Sequence, residues 1–142
     1  MVINKISNSE KVPVYGTGEN VRDWLYVEDH AKAIDLIFHK GKSGETYNVG
    51  GNCEMTNLEV IDAILKTVNV VGRIPELSEV IEFVTNRQGH DLRYAIDTTK
   101  IKTELGWEPE ETFETGIKKT VMWYFSNKEW MDHVTSGEYQ KW

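Results

Sequence analysis

The stretch Asn86-Arg-Gln-Gly-His-Asp-Leu-Arg-Tyr94 gathers Arg87, His90 and Arg93 around a glycine in an otherwise acidic chain. A guanidinium is a planar fork that matches phosphate oxygens, and a histidine adds a donor whose charge changes near neutral pH. Gly89 permits close approach of the backbone to a ligand. Two readings stay open on this chemistry alone: a diphosphate site and a solvated basic loop. A second arginine, Arg22, stands beside Asp23 ahead of the apolar-rich run Trp24-Leu-Tyr-Val-Glu-Asp-His30. Taken alone, an Arg-Asp neighbour pair is a surface ion pair of small worth.

Other spacings invite chemistry and fail on context. Gly16-Thr-Gly18 opens like a dinucleotide fingerprint, but Val21 stands where the third glycine belongs. That fingerprint turns a strand into a helix whose N-terminus holds a pyrophosphate, whereas an extended segment is expected after Gly18. The glycines are read as a turn. Tyr124 and Lys128 have the Tyr-x-x-x-Lys spacing of a phenol–ammonium dyad, yet Tyr124 falls on the apolar stripe of its expected helix and no Gly-rich loop accompanies it. His30, His39 and His133 have no metal-ligand spacing to other His or Cys, and no nucleophile has a base beside it. Asp29 is expected to cap or pair locally, with a buried structural role as the alternative. The acidic run from Glu108 to Glu114 reads as a solvated helix entrance.

The elements that must position these residues follow from periodicity. Short extended segments are expected at Val12–Tyr15 and Asp23–Val27. A helix is expected over Glu28–His39 with Ala31, Ile34, Ile37 and Phe38 inward. Thr46–Gly51 reads as a strand entering a glycine turn. Thr56-Asn-Leu-Glu59 is a capping-box pattern ahead of Leu58, Ile61, Leu65 and Val68. Strands are expected at Val80–Thr85 and Tyr94–Ile96. Asp97 is placed to cap a short helix ended by Gly106, with Ile101 and Leu105 inward. Phe113–Phe125 is the strongest helix, with Phe113, Ile117, Val121, Tyr124 and Phe125 on one face. The Trp- and Tyr-rich tail from Asn127 to Trp142 is expected to pack as a last helical piece. The sum is a mixed α/β or α+β chain in which helices outweigh a few short strands.

Composition bounds the partners. With 142 residues, 39% hydrophobic and 27% charged, the chain has ordinary globular proportions and room for a core. A formal net charge of -7 argues against general affinity for nucleic acid or anionic membrane, but not against an anionic small molecule in a locally basic cleft. Cys53 is the one cysteine, so no internal disulfide forms and no oxidising compartment is required. No apolar run is long enough to span a bilayer, and the first residues lack a signal peptide's apolar stretch. A soluble, cytoplasmic protein is the expectation.

Four blocks together carry a resemblance: Arg22 to Ile34 (RDWLYVEDHAKAI), Gly44 to Val60 (GETYNVGGNCEMTNLEV), Asn86 to Asp97 (NRQGHDLRYAID) and Glu104 to Tyr124 (ELGWEPEETFETGIKKTVMWY). In this order and spacing the chain resembles the C-terminal, substrate-binding portion of the dTDP-glucose 4,6-dehydratases, which are extended short-chain dehydrogenases of Rossmann type. The resemblance implies that residues 1–142 form that portion and that the NAD-binding half, with the catalytic residues, lies outside it. It carries over Arg22, Asn57, Arg87 and His90 as contacts to the dTDP part of the substrate, and no catalytic, cofactor-binding or metal residue. It implies NAD in the complete enzyme, a dTDP-sugar and the NAD-binding half as partners, and a homodimer built chiefly through that half. In the implied reaction, hydride leaves sugar C4 for NAD, water is eliminated across C5 and C6, and the hydride returns to C6. This chain alone is expected to be inactive, its share being to orient the sugar through the nucleotide handle. Two other readings are a non-catalytic binding or interaction module and a portion of a related UDP-sugar epimerase or decarboxylase. Without the other half, apolar surface on the Glu28 helix and the Thr46–Gly51 segment is expected to be exposed.

Overall fold

The structure, a computed structural model, describes residues 1–68 and 75–137. The expected contribution of the tail beyond Gly137 lies outside the described residues. In chain order the elements are α1 (Val2–Ser7), β1 (Val12–Tyr15), β2 (Val21–Asp23), α2 (Val27–Lys40), β3 (Glu54–Thr56), α3 (Asn57–Val68), α4 (Leu77–Val80), β4 (Ile81–Val84), α5 (Thr99–Leu105), α6 (Phe113–Ser126) and α7 (Lys128–Thr135). Strands β1 and β4 pair in parallel, Val12 against Ile81 through Tyr15 against Val84. Strands β2 and β3 pair antiparallel, with Arg22 opposite Met55. The fold class is the mixed α/β arrangement with helices dominant.

Helix α3 is the central beam because it is apolar on two faces. Val60 and Ile64 pack with Ile3 and Val121, joining α3 to α1 and α6. Ile61 and Leu65 pack with Val12 and Val14, joining it to β1. Its start is the expected capping box: the Glu59 N–H donates to Thr56 Oγ1 at 3.2 Å, and the Thr56 N–H donates to Glu59 Oε2 at 2.7 Å. The Thr56 N–H, with the Thr56 hydroxyl, holds the Glu59 carboxyl below its ordinary value. A third cluster, Ala33, Ile101 and Trp107 with Leu36, Ile37, Tyr47 and Val49, lies on the other side of the chain.

The structure revises several expectations. The strand expected at Asp23–Val27 lies at Val21–Asp23, because Val27 already opens α2. On α2 the inward face is Ala33, Leu36 and Ile37, whereas Val27, Ile34 and Phe38 are 68%, 55% and 83% exposed. Residues 46–51 are not a strand among the described residues, since no neighbouring strand offers them a ladder. Tyr94–Ile96 likewise reduces to one bridge, Arg93 to Val21. Phe125 is 46% exposed rather than inward. The strand at Ile81–Val84 and the helices at Thr99–Leu105 and Phe113–Ser126 form within a residue or two of expectation.

Two carboxylates hold the scaffold from inside. Asp29 is 1% exposed, and its Oδ2 accepts the N–H groups of Glu110 at 3.1 Å and Glu111 at 2.9 Å. This is the buried structural role, and it ties α2 to the turn that starts α6. Asp23 does not pair with Arg22. Its Oδ2 accepts the Gly51 N–H at 2.9 Å and its Oδ1 accepts the Cys53 N–H at 2.8 Å, clasping the Gly50–Cys53 turn to β2. The turn passes so close that a Cβ on Gly51 would fall on the Trp24 carbonyl, so only glycine fits there. Removing the Asp29 carboxylate leaves two backbone donors without their acceptor in a closed site. Asp29→Ala is expected to cost about 2–4 kcal/mol in urea-unfolding stability. Asp29→Asn, which keeps one acceptor oxygen, is expected to lose less, and equal losses for both would refute the carboxylate's role.

Candidate nucleotide-binding site

The parallel pairing of β1 with β4 brings two turns side by side. The Gly16 N–H donates to the Val84 carbonyl at 3.0 Å, so the chain leaving β4 runs beside the Gly16–Gly18 turn. Gly18 (φ +76°) is where β1 and α3 close up, since a Cβ there would lie 2.7 Å from both Leu58 Cγ and Val14 Cγ1. The loop from Asn86 then crosses to β2: the Val21 N–H donates to the Leu92 carbonyl at 2.7 Å, and the Tyr94 N–H to the Val21 carbonyl at 3.1 Å.

This crossing brings Arg22 together with the Arg87–His90 loop. The Arg22 guanidinium donates to the carbonyls of Val21 (2.6 Å) and Asp91 (3.0 Å) and lies 4.4 Å over the Tyr94 ring centroid. The Arg87 guanidinium lies 5.0 Å over the Tyr15 ring, and its NH2 is 3.4 Å from His90 Nε2. His90 Nδ1 is 2.7 Å from Asn86 Oδ1, and its ring meets Tyr15 edge-on. The Nδ1–H tautomer satisfies both ring contacts, donating to Asn86 and accepting from Arg87. Tyr94 Oη donates to Asp91 Oδ2, which holds the phenol above its ordinary value. The charges of Arg22 and Arg87 act in the opposite direction and are outweighed. Asn57 is the first residue of α3, and its N–H donates to the Asn20 carbonyl at 3.1 Å, which sets it one step from β2.

Arg93 departs from the expected basic knot. It forks onto Glu54, with Nε to Oε2 at 2.5 Å and NH2 to Oε1 at 2.7 Å, and this pairing holds the Glu54 carboxyl below its usual range. A guanidinium matched to a carboxylate is not free for phosphate. Sequence reasoning passes over Tyr15 and Tyr94, one at the end of β1 and the other at the end of the Asn86 loop, directly after Arg93. Their exposed rings supply the faces on which the arginines rest, a contact worth about 0.5–1 kcal/mol at the surface.

The remaining candidates settle simply. Gly16–Gly18 leads into β2 rather than a helix, so the described residues offer no dinucleotide cradle there. Tyr124 and Lys128 lie on different helices, because the chain breaks between α6 and α7 at Asn127 (φ -122°, ψ 46°). Tyr124 instead packs on the core beside Trp123 and Trp130. Among the described residues no group of three His, Cys, Asp or Glu side chains is placed to hold a metal ion, and no helix is long and apolar enough to cross a membrane.

The patch is thus basic and backed by aromatic rings, on a mixed α/β scaffold. The sequence profile described as GDP-mannose 4,6 dehydratase matches residues 1–120, and the chain belongs to that family. Within it, the chain is 49% identical over 143 residues to the dTDP-glucose 4,6-dehydratase of Salmonella typhimurium, an alignment covering 100% of this chain and 40% of the relative. A crystal structure of the Bacillus anthracis dTDP-glucose 4,6-dehydratase in complex with NAD superposes with a TM-score of 0.80 at 47% identity, covering 91% of this chain and 39% of that one. The Streptomyces venezuelae dTDP-glucose 4,6-dehydratase, solved with NAD and TYD (the dTDP ligand) bound, superposes at 0.82 with 36% identity, covering 91% and 38%. The chain thus spans about 40% of the length of the curated relatives it matches, and its fold is that of the C-terminal part of the dehydratase structures.

A separate cavity of about 770 Å³ opens between the start of α2 and helices α6 and α7, lined by Trp24, Tyr26, Phe113, Trp123, Trp130 and Cys53. It contains none of the four candidate nucleotide contacts. Burial pushes the Cys53 thiol above its ordinary value, and the nearby Glu114, Asp23 and Glu59 carboxylates add to the shift. Thiolate is the reactive form. The folded chain should therefore react with a disulfide reagent at neutral pH several-fold slower than free cysteine, and the difference should vanish in urea. Equal rates in both conditions would contradict the protected thiol.

Proposed function

We propose that this chain is the nucleotide-sugar-binding portion of a dTDP-glucose 4,6-dehydratase, the enzyme that converts dTDP-glucose to dTDP-4-keto-6-deoxyglucose with NAD. The observation that carries the reading is the meeting of Arg22 with the loop that bears Arg87 and His90: Arg22 donates to the Asp91 carbonyl at the end of that loop, and each guanidinium is braced on an aromatic ring. Arg22 and Arg87 serve the diphosphate. Asn57 and His90 serve the remainder of the dTDP handle from the start of α3 and from the loop. In this reading residues 1–142 are a single substrate-binding portion, and NAD and the catalytic groups are held by sequence outside it. What these residues contribute is orientation: energy gained on the remote nucleotide holds the sugar where reaction occurs.

Titration calorimetry with dTDP at low salt tests the site. The chain is expected to bind saturably, and Arg22→Ala or Arg87→Ala to weaken binding about 10–100-fold, the worth of a charge-assisted hydrogen bond of roughly 1.5–3 kcal/mol. Arg93→Ala is expected to change affinity far less, because Glu54 already occupies that side chain. UDP serves as the comparison ligand. Binding of dTDP untouched by both arginine variants sinks the site, and a clear preference for UDP would move the chain to the epimerase or decarboxylase reading.

The exposed stripe Val27, Ile34 and Phe38 on α2 bears on the partner. We assign it to contact with the NAD-binding half, the element that the resemblance places against this helix. Uncovered, such a stripe promotes self-association. Sedimentation of the chain is expected to show concentration-dependent oligomers, which Phe38→Asp reduces without changing the unfolding midpoint by more than a few tenths of a molar urea. A monodisperse wild-type monomer would count against this assignment.

A further inference from the structure

Asn20 is 6% exposed, and among the described residues its side chain and its backbone carbonyl each contact a part of the proposed site. Its side-chain Nδ2 donates to the Asp91 carbonyl at 3.0 Å. The same carbonyl accepts from the Arg22 guanidinium at 3.0 Å. Its own backbone carbonyl accepts the N–H of Asn57 at 3.1 Å. Asp91 in turn directly follows His90, and its carboxylate takes the hydroxyl of Tyr94, whose ring carries Arg22. One buried residue therefore touches, through its side-chain amide, the Asp91 carbonyl that anchors Arg22 and ends the loop bearing Arg87 and His90, and, through its backbone carbonyl, Asn57 at the start of α3.

We infer that Asn20 is a positioning residue of the nucleotide site: it fixes the Asp91 carbonyl, and through it the Arg22 guanidinium and the Arg87–His90 loop. The inference rests on the dTDP reading above and adds the residue that preorganises it. A buried amide is costly unless its hydrogen bonds are met, and the donor it aims at Asp91 has a directionality that an apolar residue of equal size lacks. Asp91 then offers its carbonyl at a set point, so the guanidinium of Arg22 meets a ligand with little rotamer freedom left to lose. Without the Asn20 donor, the Asp91 carbonyl keeps only its bond from Arg22, and the arginine must choose between bracing the loop and turning to phosphate.

Asn20→Asp tests this with almost no change of shape. At neutral pH the variant presents a carboxylate oxygen to the Asp91 carbonyl, two acceptors facing one another. Its dTDP affinity is expected to fall about 10-fold or more below wild type. As pH falls through the carboxyl range, the protonated group regains an O–H donor, and the wild-type-to-variant affinity ratio should shrink toward one. Taking the ratio removes the titration of the ligand phosphate, which is common to both proteins. Asn20→Ala should lose affinity by a similar factor at every pH, with no recovery in acid. Backbone exchange provides the second readout: the Val21 and Tyr94 amides, which bond across the loop crossing, should exchange faster in both variants, while Val60 and Ile64 in α3 keep their protection.

Val121→Ala, a core change remote from the site, is the control, expected to lower stability without lowering affinity. If it weakens dTDP binding as much as Asn20→Asp does, the effect is general loosening and the positioning role is overturned. It is overturned equally by a ratio that does not move with pH, or by unchanged exchange at Val21 and Tyr94. A wild-type chain that fails to bind dTDP overturns the nucleotide reading, and the positioning role with it. A wild type that binds alongside an Asn20→Asp variant of equal affinity overturns the positioning role alone.

Discussion

Strand β2 is three residues long and is held on both edges. On one side Val21, Arg22 and Asp23 oppose Thr56, Met55 and Glu54. On the other, Val21 exchanges backbone hydrogen bonds with Leu92 and Tyr94. A three-residue strand alone has no stability of its own, and each hydrogen bond adds only about 0.5–1.5 kcal/mol net. The side chains at either end make good the difference, Asn20 tying down the loop and Asp23 the glycine turn. The consequence is positional. Arg22 sits in the middle of a segment fastened on both edges, and the residues proposed to act with it arrive on the two segments fastened to it.

Much of this was legible in one sequence because it rests on local rules. The capping box at Thr56–Glu59, the helix closed at Gly106 and the Phe113 helix come from interactions within a few residues, and they form where expected. What was not legible depends on partners distant in sequence. The inward face of α2 could not be chosen between two apolar stripes without knowing that Ile101 and Trp107 pack on Ala33. Thr46–Gly51 has the composition of a strand, but pairing needs a neighbour that the described residues do not supply. For Arg93, proximity in sequence to Arg87 and His90 promised a shared task, while the β2–β3 pairing delivered Glu54 to it instead. The role of Asp23 was not legible for a related reason. Its neighbour Arg22 is the obvious ion-pair partner in sequence, but adjacent strand residues point to opposite faces, and Asp23 reaches the Gly51 and Cys53 amides.

The same geometry resolves how an acidic chain presents a site for an anion. Net charge acts at long range and is screened within about 8–10 Å at ordinary ionic strength, so the local arrangement decides. Around the crossing, the carboxylates are engaged by other donors: Glu54 by Arg93, Asp91 by the Tyr94 hydroxyl, Glu19 by Thr17 Oγ1. Arg22 and Arg87 are held instead by carbonyls, a histidine nitrogen and two aromatic faces, groups that orient a cation without neutralising it. A full ion pair at either arginine would place a carboxylate where a phosphate is proposed to bind, and the ligand would have to displace it. Bracing by neutral groups leaves the charge in place and the fork restrained before any ligand arrives. Glu54 then has a use beyond pinning β3. By occupying Arg93 it confines uncompensated positive charge to Arg22 and Arg87, a pair whose number suits a diphosphate.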